Sequence, residues 1–333
     1  MMRRQMLQAA APVTTRPLHV SDVDRLSPAE GEIIIDVAAC GVCRTDLQLV
    51  EGDLAARVLP VVPGHQVVGR VAGVGDGVSG WSVGERAGVA WLAGSCGACE
   101  YCRSSRENLC ADAVFAGWSS NGGYAEQIAV RADFALRIPS LFSDVEAAPL
   151  LCGGIIGYRA LKISGIQPGG RLGLYGFGAS ALLAMQVATY WECDVFVATR
   201  SPAEQERAIR MGAAWTGSYH DRPPVSLDAA VTFAPVGYVV VEALKSVARG
   251  GVVAINAIHL DRIPEFGYDL LWSERQLRSV ANFTRRDATE FLTLAAEIPI
   301  RTVPDVYPLA DANLALIRLK EGLVEGAAVL VTG

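Results

Sequence analysis

The sequence predicts an α/β protein in two parts: a mostly-β, barrel-like domain, and a domain built on a doubly wound parallel sheet. Three observations carry this expectation. Residues 31–135 read as short β-type runs broken by glycine, apolar strands alternate with helix-length segments after Cys152, and a chain of 333 residues exceeds what one compact core usually spans.

In the first stretch, "GEIIIDVAAC", "VVGRVAGVGDGV", "ERAGVAWLAG" and "GGYAEQIAV" combine β-branched and apolar residues with glycine at the breaks. The texture changes at "LLCGGIIGYRALKISGIQPGG". There "RLGLYGFG" precedes "ASALLAMQVATYW", and "DVFVATR", "SPAEQERAIRMGA", "LDAAVTFAP", "YVVVEALKSVARG" and "GVVAINAI" continue the alternation of strand and helix. Near-continuous apolar strands are what a parallel sheet covered on both faces requires. The final stretch, "IRTVPDVYPLADANLALIRLKEGLVEGAAVLVTG", reads strand, helix, strand, and is expected to pack back on the first domain.

A net charge of −6 speaks against a nucleic-acid or anionic-membrane footprint, so small-molecule chemistry is the default expectation. The opening "MMRRQMLQAAAPVTTRP" lacks an apolar run long enough for a signal-peptide core, and no later segment approaches a bilayer span. The expectation is a soluble, cytoplasmic protein. In a reducing compartment, eight cysteines point to metal binding or catalysis wherever they cluster.

They cluster in "SCGACEYCRSSRENLC", where Cys96, Cys99, Cys102 and Cys110 follow a C-x2-C-x2-C-x7-C pattern. Four thiolates in one loop close a tetrahedral shell, the arrangement of a structural zinc. An iron–sulfur cluster is the weaker rival, since no proline follows the fourth cysteine and no second cluster motif exists. A second group is less plain. Cys40 and Cys43, three apart in "AACGVCRTD", read alone as a redox dithiol, a zinc site or two buried residues. Cys43, His65 in "VVPGHQVVGRV" and Cys152 in "LLCGG" would leave one zinc position open, as a catalytic zinc needs. However, 21 and 86 residues lie between them, spacings that establish no site by themselves, and for an isolated His65 a core histidine bonded to a backbone carbonyl is the favoured reading.

"GRLGLYGFGASALLAMQVA" places Gly176-Phe177-Gly178-Ala179-Ser180-Ala181 between an apolar strand and a helix, where glycines allow backbone N–H groups to approach a pyrophosphate. The next strand should end in an acidic residue if a ribose 2′-hydroxyl is to be recognised. It ends instead at Thr199, followed by Arg200 and Ser201, a set that suits a 2′-phosphate. A preference for NADP(H) is expected. NAD(H) stays usable if Arg200 is solvated or stacks on the adenine.

The segments "CGVCRTD", "PGHQVVGRV", the four-cysteine loop, "NGGYAE", "LLCGGIIGYRALK" and "GFGASA" occur in an order that resembles the zinc-dependent medium-chain alcohol dehydrogenases over essentially the whole chain. Within them the chain looks most similar to bacterial relatives of cinnamyl alcohol dehydrogenase, and "DAAVTFAPVG" and "LLWSERQLRSVANFTRRD" are in keeping. The resemblance implies a GroES-like catalytic domain at 1–152 and 286–333 and a Rossmann cofactor domain at 153–285. It implies two zinc ions per chain, one catalytic on Cys43, His65 and Cys152 and one structural on the four-cysteine loop, with Cys40 a small structural residue. Thr45 would hydrogen-bond the substrate oxygen, Asp46 would orient the zinc-binding imidazole, and Arg44 would meet the cofactor pyrophosphate. Trp91 and Trp118 would help line a substrate pocket between the domains.

Two departures stand out. Gln66 replaces a glutamate that many relatives carry after the histidine, and Gln48 replaces a proton-carrying histidine. The implied function is reversible oxidation of a primary or secondary alcohol to an aldehyde or ketone by a homodimer or homotetramer. Two other readings compete. A quinone or enoyl reductase on the same architecture should lack both cysteine sets, and a zinc-stabilised, non-catalytic binding or regulatory protein would need only the structural ion.

Overall fold

A computed structural model describes all 333 residues. Met1–Cys152, Thr284–Ala296 and Arg301–Gly333 form one unit, and Gly153–Phe283 with Glu297–Ile300 form a second. The chain thus returns to the first unit at Thr284, slightly before residue 286. At that return the Thr284 N–H and hydroxyl both donate to Asp287 Oδ2, at 2.9 and 2.7 Å, which starts the next helix.

The first unit opens with β1 (Met2–Leu7) paired antiparallel with β2 (Leu18–Val23). Then come β3 (Glu32–Val42), α1 (Arg44–Glu51), β4 (Val67–Val74), β5 (Arg86–Val89) and β6 (Leu92–Gly94). α2 (Glu100–Arg103), β7 (Val114–Phe115), β8 (Gln127–Arg131), β9 (Leu136–Arg137) and α3 (Asp144–Ala147) follow. β3 is the central strand. One edge pairs with β4, and the other takes β8 along Glu32–Asp36, leaving Ala39–Val42 for a strand from the end of the chain. Ile33, Ile34, Ile35, Val37 and Ala39 are consequently all buried, so the run is nearly continuous instead of alternating. Register shifts at Ile34/Ile35 and Val37/Ala39 bend the strand before it delivers Cys43.

The second unit runs α4 (Gly153–Ser164), β10 (Arg171–Tyr175), α5 (Ala179–Tyr190), β11 (Asp194–Ala198), α6 (Pro202–Arg210), β12 (Trp215–Gly217) and β13 (Leu227–Thr232). α7 (Gly237–Ser246), β14 (Val247–Ile255) and β15 (Gln276–Ser279) complete it. Its six parallel strands lie in the order β12-β11-β10-β13-β14-β15. The order reverses between β10 and β13, and in such sheets ligands bind outside the carboxyl ends of the strands at that point. Leu172, Leu174, Val195, Val197, Val231 and Val253 are at most 1% exposed, each stabilising the sheet by about 1.5–3 kcal/mol relative to an exposed position. β14 begins at Val247, inside a stretch the sequence pattern assigns to helix, because Val247 already pairs with Leu227.

The last stretch is α8 (Arg285–Glu297), β16 (Pro304–Pro308), α9 (Ala312–Glu321) and β17 (Ala327–Val331). β17 pairs antiparallel with β3, setting Leu330 opposite Cys40, so the end of the chain does pack back on the first unit. No helix is long and apolar enough to cross a membrane.

Candidate active site

β3 ends at Val42 and Cys43 begins α1 in extended backbone, at φ −133° and ψ 176°. Its N–H donates to Asp46 Oδ2 at 2.9 Å, and its Sγ accepts from Thr45 N–H at 3.3 Å. The helix start therefore fixes the cysteine from both sides, with a thiol in the place where serine or aspartate usually caps. Asp46, 2% exposed, also accepts from Gly64 N–H at 3.1 Å through Oδ1.

That second bond aims the next residue. His65 Nδ1 lies 3.2 Å from Asp46 Oδ1 and Nε2 lies 3.2 Å from Cys43 Sγ. A proton on Nδ1 faces the Asp46 carboxylate, and Nε2, turned toward Cys43 Sγ, is the ring atom placed to ligate a metal. Gly64 sits at φ +97°, and a Cβ there would come within 2.4 Å of the buried Tyr124 ring, so only glycine brings His65 to this place. The ligand atoms of Cys43, His65 and Cys152 all lie within 4.8 Å of one another.

The Cys43 thiol is drawn down to about 5, chiefly by a hydrogen bond from Cys152, against burial and with help from His65. Cys152 is pushed well above its ordinary range by the same bond and by burial. Burial alone would lower His65, but the Cys43 thiolate and the Asp46 carboxylate hold it well above its usual value. Two sulfurs and a nitrogen are the donors that zinc prefers, so the residues fit the ion.

Cys40 is 1% exposed and stands outside this set. Thr45 is half-buried and Arg44 exposed at the start of α1. Gln66 is 4% exposed with Nε2 unpartnered, and Gln48 Oε1 is likewise buried without a partner. The Trp91 ring centroid lies 5.9 Å from that of His65 and 5.7 Å from that of Trp118. Two neighbours escape sequence reasoning. Phe115 packs 4.8 Å from Trp91, and the Arg57 guanidinium stacks 4.2 Å over Trp118.

The sulfurs of Cys96, Cys99, Cys102 and Cys110 form a second cluster, also within 4.8 Å of one another. Cys99 Sγ caps α2 by accepting from Cys102 N–H at 3.5 Å, and Cys96 Sγ accepts from Cys99 N–H at 3.4 Å. The Ala98 and Cys99 amides, Ala98 first, draw the Cys96 thiol down to about 6. No disulfide forms; all eight cysteines are free.

In the second unit β10 runs into Gly176 at φ +93°, where a Cβ would meet Ala234 N at 2.9 Å. Gly178 precedes Ala179, Ser180 and Ala181 at the start of α5 and lends that helix no side-chain cap, leaving its first-turn N–H groups for an anion. The carboxyl end of β11 lies alongside, with Gly176 N–H donating to Ala198 O at 2.8 Å. Thr199, however, is 1% exposed, and its hydroxyl is bonded to Glu204 Oε2. Ser201 accepts from Glu204 N–H at 3.4 Å as the cap of α6, while Arg200 is exposed.

The class is thereby defined: a candidate metal centre at the end of the central strand in one unit, and a doubly wound parallel sheet with a glycine turn at its switch point in the other. Residues 29–140 match the alcohol dehydrogenase GroES-like domain. A probable alcohol dehydrogenase of Mycobacterium tuberculosis (strain CDC 1551 / Oshkosh) is 48% identical over 326 residues, covering 96% of this chain and 94% of that relative. An alcohol dehydrogenase of Geobacillus stearothermophilus is 34% identical over 95% of this chain and 96% of its own. Among solved structures, a cinnamyl alcohol dehydrogenase from Sorghum bicolor superposes with a TM-score of 0.90 at 26% identity, covering 99% of this chain and 97% of that one. The chain belongs to the zinc-dependent medium-chain alcohol dehydrogenase family.

Proposed function

We propose that the protein interconverts a primary or secondary alcohol and its aldehyde or ketone, with a nicotinamide cofactor as hydride partner. The carrying observation is the Cys43–His65–Cys152 cluster with Asp46 hydrogen-bonded behind its imidazole. A zinc ion on those three residues supplies Lewis acidity at the reacting oxygen. The chain's own residues do the rest. Thr45 holds the substrate hydroxyl, Asp46 keeps His65 in the ligating tautomer, and Trp91 and Trp118 present aromatic surface to an apolar substrate. Gln48 does not titrate, so the proton leaves through Thr45 and solvent. Gln66, being neutral, is a poorer rival ligand than a carboxylate.

The four-cysteine loop holds a second, structural zinc. Gly176, Gly178 and the start of α5 take the pyrophosphate, and exposed Arg200 favours NADP(H) while NAD(H) remains usable. We further read the protein as a cytoplasmic homodimer or homotetramer. Its edge strand β15, beside the exposed rings of Tyr268 (70%) and Trp272 (65%), offers a surface for a second copy.

A substrate panel with NADPH and NADH, run alongside metal analysis, tests this reading. About two zinc ions per chain and turnover of alcohols are expected, with a Cys43→Ala variant folded but inactive. One zinc without turnover would favour a non-catalytic protein, and near-normal turnover in Cys43→Ala would overturn the ligand assignment.

A further inference from the structure

Both hydroxyls that follow β11 make hydrogen bonds within the chain, but only Thr199 commits its proton there. Thr199 donates its proton to Glu204, accepts from Gln205 Nε2 on its carbonyl at 2.8 Å, and donates its N–H to Gly217 O at 2.9 Å. Ser201 caps α6. The Thr199 proton is therefore engaged by Glu204, whereas Ser201 only accepts from Glu204 N–H and keeps its own proton. Besides the Ser201 proton, the side chains left at this strand end are the Arg200 guanidinium and the half-buried Glu204, whose Oε2 is taken by Thr199 while Oε1 bonds to nothing else in the chain. The acid missing from the end of the strand is thus present in space. It comes from the first turn of α6, five positions later, and the Thr199 hydroxyl ties it back beside the glycine turn.

We propose that Glu204 is a cofactor-selecting residue: its free carboxylate oxygen accepts from the adenosine ribose 2′-hydroxyl of NAD(H) and opposes a 2′-phosphate. The proposal rests on reading the second unit as the dinucleotide site, and it gives the NADP(H) preference a built-in opponent. Arg200 attracts the phosphate, Glu204 repels it by like charge, and Glu204 alone offers a charge-assisted acceptor to the plain ribose. With these two side chains pulling in opposite directions, use of both cofactors is the expected outcome.

The test is equilibrium binding of ADP-ribose and 2′-phospho-ADP-ribose to the zinc-loaded protein, read by calorimetry, which is independent of turnover. Glu204→Gln keeps the size and still accepts from Thr199, but loses the charge. It should weaken ADP-ribose roughly ten-fold, the effect of a lost charge-assisted hydrogen bond, and tighten 2′-phospho-ADP-ribose about five-fold. Thr199→Val, which unties the carboxylate, should weaken ADP-ribose in the same direction by less. Unchanged affinities in Glu204→Gln, or an equal loss for both ligands as expected of a helix-start prop, would overturn the proposal. Arg200→Ala keeps the two readings apart. It should weaken 2′-phospho-ADP-ribose only. If it changes nothing while Glu204→Gln behaves as stated, the NADP(H) preference fails and the role of Glu204 stands.

Discussion

Replacing Asp46 with asparagine probes the joint between fold and metal centre. The carboxylate accepts three N–H groups: Cys43 at Oδ2, and Gly64 and His65 Nδ1 at Oδ1. An amide has one acceptor oxygen. If that oxygen faces Gly64 and His65, the amide N–H2 confronts the Cys43 N–H, and the capping box is lost at about 1 kcal/mol. The buried donor left unpaired adds about 1–3 kcal/mol, which brings the loss to roughly 2–4 kcal/mol. The flipped amide faces two donors, and it is relieved only if His65 moves its proton to Nε2, where it blocks ligation. Either way the imidazole loses its anionic partner, which typically costs 10–100-fold in metal affinity. Urea unfolding of the zinc-loaded protein measures the first effect, and competition with a chelator, reading the catalytic ion, measures the second. An Asp46→Asn protein with parental stability and parental zinc affinity would refute the reasoning.

Two further outcomes are expected. Cys99→Ser removes both a ligand and the cap of α2, so the loop from Cys96 to Cys110 should lose its ion and become protease-sensitive, whereas the Cys43 cluster keeps its own; metal counting with limited proteolysis checks this. Asp228 is held below the usual carboxylate range by the Arg171 side chain, which binds it at 2.7 Å, and by the Arg171 N–H at 2.8 Å. A carboxylate depressed in the fold stabilises it above the unfolded value of about 4 and loses that contribution as the pH falls through the lower folded value. The pair is two-fifths exposed, so Asp228→Asn should cost about 1 kcal/mol at neutral pH and progressively less as the pH falls below the ordinary carboxylate range, which melting curves from neutral to acid pH would show.

Legibility in the sequence follows burial. β10, β11, β13 and most of β14 are covered on both faces, and their apolar runs show it. β12 and β15 lie at the two edges of the sheet, and "WTG" and "QLRS" carry no such run, so neither strand announces itself. The four-cysteine loop is readable because its ligands are local. Cys43, His65 and Cys152 are joined only by resemblance, since the physical link between the first two is Asp46, a residue that alone reads as a helix cap.

The same contrast explains why the two ligand sites differ in what their motifs disclose. At the metal centre, residue types settle the chemistry, because sulfur and imidazole within reach of each other have few other uses when buried. At the strand end they do not, because hydroxyls and carboxylates satisfy one another as readily as they bind a ligand. "TRSPAE" contains the groups for a phosphate and the group against it, and only the Thr199–Glu204 bond shows which are still free. On the proposed role of Glu204, specificity toward the cofactor is set by internal hydrogen bonding, one level above the residue types that the sequence displays.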